Sequence, residues 1–246
     1  MQSFSIFLGL GTLAGLLLTA WRAPKKETLR YVDAAVVAMF IALVCSRAFA
    51  VIVNWGYYGS HLADIPQVWL GGLSSIGALT GGVLAIFILA LWWKLPTGLL
   101  ADTLLPLVGI LIISSWLGCW FNTCSYGSPS NAWWALPARD EWGVVAPRIP
   151  VQLIGALVTL AIVWWSDWAA RRWTIPGLSA GLGLFGNTTL LFAFSYLRAD
   201  PVPIWQGLRL EAWGAIGLMV LSGLIVVVLL VRWKGKKIPV PTGRVL

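Results

Sequence analysis

A chain of 246 residues that is 59% hydrophobic and 11% charged, with a mean hydropathy of +0.84, lies far outside the composition of water-soluble globules. About 20 apolar residues cross a bilayer, so the length holds roughly six to eight spans in one integral membrane domain covering 1–246. The formal charge of +8 invites a nucleic-acid partner, but in a membrane chain a basic balance records orientation, and no nucleic acid is expected.

The first span is expected at about 3–21, with Gly9, Gly11 and Gly15 offering a small-residue face for close helix packing. No basic region precedes it, and the charges Arg22, Lys25, Lys26 and Arg30 follow it, which reads as a span rather than a cleaved leader. The second span, about 31–53, carries Asp33 near its start and Arg47 deep in its second half. A lipid-facing arginine is disfavoured, so Arg47 either snorkels to the outer interface or turns inward toward a phosphate or carboxylate. The loop after it holds the single histidine, His61, beside Tyr57, Tyr58 and Asp64; a lone loop histidine reads as solvated.

The third span, about 70–93, begins with Gly71, Gly72 and Ser74 and continues through Gly77, Gly81 and Gly82, a density of small residues that lets backbones or lipid approach. The fourth runs over about 99–121, with Asp102 near its start as a cap or interfacial group. It ends in the stretch 114–127, where an apolar helix gives way to a turn containing Cys119, Asn122, Cys124, Tyr126 and Gly127. Polar groups at the mouth of a membrane bundle are costly unless they face a cavity, so chemistry is sought there. Cys45, Cys119 and Cys124 show neither CxxC spacing nor histidine company, and no zinc, haem or other metal is expected. Cys119 and Cys124 are read as small apolar packing, a bridge on an oxidising face being the alternative.

An outer loop over about 122–150 carries Trp133, Trp134 and Trp142, read as an interfacial belt. Spans at about 151–168, 177–197 and 213–231 complete a seven-helix bundle. Placing lysine and arginine by side puts Arg22, Lys25, Lys26, Arg30, Lys94, Arg171, Arg172, Arg232, Lys234, Lys236, Lys237 and Arg244 on one face. Arg139, Arg148, Arg198 and Arg209 fall on the other. The asymmetry predicts an outside N-terminus and a cytoplasmic C-terminus. Few charges lie within the spans and no internal repeat is visible, which argues against a transporter or channel.

Arg47 with its following loop, Gly71-Gly72-Leu73-Ser74, Gly118-Cys119 with Cys124 and Tyr126-Gly127, Pro150 with Gln152-Leu153, and Arg198-Ala199-Asp200-Pro201 occur in order over nearly the whole chain. Together they resemble the prolipoprotein diacylglyceryl transferase family. The resemblance implies a multi-pass enzyme of the bacterial inner membrane that moves diacylglycerol from phosphatidylglycerol to the lipobox cysteine of prolipoproteins. Such chemistry needs cations around the phosphate and a group that helps the thiol to its thiolate.

The same resemblance places a histidine two residues after the serine of the Gly-Gly-x-Ser segment, where this chain has Ile76. It places an arginine two residues before Gly118, where this chain has Trp116. It places an arginine and a glutamate upstream of Arg198, where this chain has Leu191 and Ser195. The family's first-span tyrosine falls on Phe4, and its histidine before the Pro-x-Gln segment on Ile149. Each difference removes an ionisable or hydroxyl group or makes it smaller, as a bilayer favours once such a group lapses.

Two readings follow. In the first, the chain is a catalytically silent, phospholipid-associated structural or accessory subunit of a membrane complex. It takes no cofactor, and Arg47, Gly71, Gly72, Ser74, Gln152 and Arg198 lie toward phosphatidylglycerol or another phospholipid. In the second it is an active transferase that works through His61, Arg47 and Arg198. Convergence of those three on one cavity open to lipid favours the second. A dry core around Ile76, Trp116 and Leu191 favours the first.

Overall fold

The computed structural model describes residues 2–235. Lys236, Lys237 and Arg244, assigned to the cytoplasmic face from sequence, lie outside the described residues. The helices are α1 (Gln2–Arg22), α2 (Thr28–Val53), the single turn α3 (Trp55–Tyr58), α4 (Ser75–Trp92), α5 (Thr97–Asn122), α6 (Val151–Trp173), α7 (Leu178–Phe194) and α8 (Leu210–Gly235). Six of them are long and apolar enough to cross a membrane, whereas α7 has 17 residues and spans about 25 Å. The chain runs up and down, so Arg22, Arg30, Lys94, Arg171 and Arg172 gather at one end, here called the basic end. The loop end carries the segments between α2 and α4, α5 and α6, and α7 and α8.

The packing follows from small residues. A Cβ on Gly11 would lie 2.1 Å from Ser114 Oγ, and one on Gly15 2.3 Å from Leu107 Cδ1, so α1 seats directly on α5. Gly9, expected on the same face, meets nothing within 4 Å. Helix α2 pairs with α4, α7 with α8, and α5 touches α1, α6 and α7. Toward the basic end the core is built from Tyr31, Ala34, Ala35, Ala85, Leu89, Leu100 and Leu104.

Asp102 caps a helix other than its own. Its carboxylate accepts the N–H groups of Gly177 (2.7 Å) and Ala180 (2.8 Å), the free donors at the start of α7. Pro106 sits inside α5 and has no N–H to give to the carbonyl of Asp102. Arg22 Nη1 reaches that carbonyl at 3.5 Å instead.

At the loop end the structure adds two small hairpins that hydrophobic patterning over short exposed segments does not announce. Strands β1 (Leu136–Arg139) and β2 (Val145–Arg148) pair antiparallel, as do β3 (Ile204–Trp205) and β4 (Leu208–Arg209). The third span is shorter than the sequence suggests. Gly71 and Gly72 both take positive φ, +91° and +72°, which keeps them out of the helix. Ser74 then caps α4 by accepting the N–H of Gly77 at 3.3 Å.

Candidate functional site at the loop end

Arg47 is set on α2 one turn and a half before its C-terminus, and its guanidinium is buried beneath the loop that follows (6% exposed). Nε donates to Ile65 O (2.8 Å), Nη1 to the carbonyls of Gly71 and Gly72, and Nη2 to those of Asp64 (2.6 Å) and Gln67 (3.3 Å). A guanidinium has five N–H donors, and here every one meets a backbone carbonyl. The Tyr58 ring lies 5.1 Å from Cζ and covers the cation. Gly72 is required at this spot, since a Cβ there would sit 2.7 Å from Arg47 Nη1. Of the expected alternatives, the inward one is seen, with the guanidinium clamped on the backbone of residues 64–72. Ser46 Oγ adds a bond to Ser74 O at 2.8 Å. Arg47, Gly71, Gly72 and Ser74 therefore do come together, through backbone.

His61 is exposed on that same loop, stacked on Tyr57 at 4.3 Å, with Nδ1 3.0 Å from both Ser60 Oγ and Tyr57 O. Tyr57 donates its hydroxyl to Asp64 Oδ2 at 2.8 Å, and that bond to a carboxylate raises its pKa.

Arg198 belongs to a separate cluster. Nε and Nη2 form a two-point contact with Asp200 (2.9 and 2.6 Å) and Nη1 donates to Glu211 (3.0 Å). Arg209 bonds the carbonyls of Arg198 and Asp200 and pairs with the Asp200 carboxylate at 3.1 Å. Burial works against the Arg198 charge, yet the bonds and charges of Asp200 and Glu211 outweigh it and hold the guanidinium above its ordinary pKa. Among the described residues, no hydrogen bond or ion pair joins Arg47 or His61 to Arg198. Glu211 and Arg209 were not singled out in the sequence, because only folding brings them to Arg198.

The α5 exit lies beside the Arg198 cluster, where Ala199 N–H donates to Tyr126 O at 2.9 Å. Cys119 and Cys124 form a disulfide, which replaces the expectation of reduced, apolar packing. It closes a turn in which Thr123 and Ser125 take φ of +57° and +52°, left-handed values that side chains rarely adopt. Gln152, 2% exposed, donates Nε2 to Cys124 O at 3.0 Å. Tyr126 is buried beneath Arg148, whose Cζ lies 4.9 Å from the ring, and Arg148 pairs with buried Asp140 at 2.9 Å. Burial pushes the Tyr126 phenol pKa up, and its hydroxyl has no partner among the described residues. Gly127 bridges to Arg198 across this loop, tying the hairpins to the end of α7.

The positions where the resemblance calls for ionisable groups are apolar and filled. Ile76 (3% exposed) packs with Ala215, Leu218, Leu191 and Phe192, and a Cβ on Gly214 would lie 2.4 Å from its Cγ2. Trp116 (6% exposed) packs with Val151, Leu190, Phe194 and Leu191. It meets Phe194 edge-on at 5.6 Å and covers Gly155 so closely that a Cβ there would lie 2.7 Å from the indole. Leu191 belongs to both groups, so they form one continuous apolar interior. Ser195 turns its hydroxyl to Phe192 O at 2.7 Å. Phe4 rests against Gly118, and Ile149 joins the Trp116 group. Two shallow concavities lie at the basic end, one lined by Arg30, Asp33, Trp93 and Lys94 and the other by Trp21, Arg22, Trp164 and Asp167. At the loop end the donors of Arg47 are engaged by backbone carbonyls and the Arg198 guanidinium by carboxylates, whereas Tyr126 Oη, Arg148 Nε and Arg209 Nε are buried with no partner among the described residues. No group of three metal-ligating side chains occurs among the described residues.

Long apolar helices running up and down, joined by short turns at the basic end and by folded loops at the other, define an α-helical multi-pass membrane protein. A family model described as prolipoprotein diacylglyceryl transferase matches residues 1–238, and the chain belongs to that family. Among curated relatives, a phosphatidylglycerol–prolipoprotein diacylglyceryl transferase of Geobacillus kaustophilus is 37% identical over 123 residues, 48% of this chain and 44% of that protein. Its counterpart in Streptomyces griseus is 29% identical over 88% of this chain and 70% of the relative. That of Corynebacterium glutamicum is 27% identical over 92% and 79%. The match to the Geobacillus protein thus spans less than half of that relative's length.

Proposed function

We propose that this chain is a diacylglyceryl transferase-like scaffold of the bacterial inner membrane that carries no transfer chemistry and acts as a phospholipid-associated accessory subunit of a membrane complex. The observation that carries this reading is the continuous apolar packing of Ile76, Trp116 and Leu191. Proton transfer to a thiol and charge stabilisation at a phosphate both need polar groups aimed at the reacting atoms. None of those three side chains can hold a proton or a positive charge. Introducing a charge there without a partner costs about 2.5–3.5 kcal/mol on insertion scales, which is consistent with an interior shaped for packing. The lipid partner in this reading is phosphatidylglycerol or a similar phospholipid, with no cofactor and no metal.

The topology proposed with it has seven spans, α7 counted among them, with the basic end in the cytoplasm and the N-terminus outside. The loop end then faces the oxidising side, in keeping with a Cys119–Cys124 disulfide.

The second reading, an active transferase, is favoured by the printed names of the relatives, each a phosphatidylglycerol–prolipoprotein diacylglyceryl transferase. It requires Arg47, Arg198 and His61 to leave their present partners and meet at one substrate. Complementation separates the two readings. A strain depleted of its own diacylglyceryl transferase, expressing this chain in the membrane, fails to lipidate a reporter prolipoprotein under the first reading. Lipidation and growth establish the second.

A further inference from the structure

We infer that the basic end carries a binding furrow for one phospholipid, between α1 and α6 over the floor of α5. Helices α1 and α6 both pack on α5 but not closely on each other, which leaves a furrow above Pro106. Leu18 and Trp21 line it from α1, Val163 and Trp164 from α6. Trp21 and Trp164 are 78% and 69% exposed, so the walls stand open to the surroundings. At the basic end the furrow is closed by polar groups. Arg22 pairs with Asp167 Oδ1, and Arg171 holds Oδ2 of the same carboxylate at 2.7 Å.

Two arginines share the one carboxylate of Asp167. A further acid, Asp102, turns its carboxylate away to accept the N–H groups of Gly177 and Ala180. Arg171 is 71% exposed in its side chain and has donors left over. A cationic rim at the end of an apolar furrow fits a phosphodiester head group with its acyl chain alongside. Size favours lipid over a partner helix. The cavity is about 170 Å³, room for a stretch of acyl chain but not for a helix about 10–12 Å across. Tryptophan at both lips is the usual residue at the head-group level.

This site is remote from the loop-end residues, and it stands whether or not the chain transfers diacylglycerol. Only the leaflet it faces rests on the orientation proposed above. The full-length chain is purified, stripped of lipid with detergent and titrated with dioleoylphosphatidylglycerol, and bound lipid is counted by native mass spectrometry. The expected result is one lipid retained above the rest. Arg171→Gln weakens that binding about fivefold, the effect of one cation near a lipid phosphate, and Leu18→Trp weakens it by filling the furrow. Lys94→Gln removes an equal charge from another part of the basic end and leaves binding unchanged. Melting temperature is followed for each variant, and Leu18→Trp tests the apolar half independently should Arg171→Gln not fold. Wild-type retention in both furrow variants, or an equal loss in Lys94→Gln, overturns the proposal. So does a photo-crosslinker at position 21 that captures a protein in membranes instead of lipid.

Discussion

Replacing Arg47 by methionine tests whether this arginine organises the loop end. Its five N–H groups meet five carbonyls of residues 64–72, and a hydrogen bond to a charged group is worth about 1.5–3 kcal/mol net. Simple addition gives roughly 7–15 kcal/mol, which overstates the loss. Leu62 and Trp69 on this loop are 60% and 67% exposed, so once the loop lets go its carbonyls turn to water. The cost is then limited to the free energy of ordering one loop, about 3 kcal/mol, the scale of breaking one buried charged contact. The assay is amide hydrogen exchange in lipid nanodiscs. The N–H groups of Gln67, Val68 and Gly71 donate to Asp64, Pro66 and Val68 carbonyls, and in Arg47→Met they exchange roughly a hundredfold faster while those of α5 keep their rates. Arg47→Lys keeps the charge but has three donors and no planar fork, and falls about tenfold short of wild type. Unchanged exchange over 64–72 in a folded Arg47→Met protein refutes the clamp.

Three other outcomes follow from the same contacts. Arg198→Ala leaves Glu211 without this cation and Asp200 with Arg209 alone, and lowers stability by about 3 kcal/mol in a denaturation series, the low end for breaking a buried pair because Arg209 remains. Combining it with Asp200→Asn costs less than the sum of the two single changes. Tyr126 titrates above the ordinary phenol value of about 10 because it is buried. The folded state therefore keeps its proton after the unfolded state has lost it, and stability falls as pH rises past about 10. Tyr126→Phe removes its share of that fall, while Tyr57, raised by its bond to Asp64, keeps another; at pH 7 the change does not destabilise, since the buried hydroxyl has no partner to lose. The Cys119–Cys124 bridge blocks alkylation at both positions until reductant is added, and the double serine variant loses about 2 kcal/mol, the chain-entropy value for so short a loop.

The spans were legible because a bilayer imposes one rule on every residue that faces it, and runs such as 151–168 obey it. Their ends were not. Gly71 and Gly72 belong by composition to the third span, expected from about 70, yet positive φ at both and the Ser74 cap delay the start of α4 to Ser75. The hairpins were missed because Leu136–Arg139 and Val145–Arg148 are short, exposed and carry opposed prolines, Pro137 against Pro147, so neither periodicity nor β-propensity marks them. Of the candidate site, sequence singled out Arg47, as either snorkelling or turned inward, and Arg198, as a cation for a lipid head group. It did not say that the partners are loop carbonyls for the one and Asp200 with Glu211 for the other, since those meet only across distant segments. Asp102 was legible as a cap, but the helix it caps begins 75 residues later. That Ile76, Trp116 and Leu191 carry no ionisable group is legible from their types; that all three pack around shared neighbours required the fold.

The central claim is that this interior performs no transfer. The direct measurement is to reconstitute the purified chain in phosphatidylglycerol vesicles, add a lipobox peptide, and follow the peptide by mass spectrometry, with the Geobacillus relative as positive control. The account predicts peptide of unchanged mass, at the level of empty vesicles, while the control converts. A chain-dependent gain of one diacylglyceryl group contradicts it.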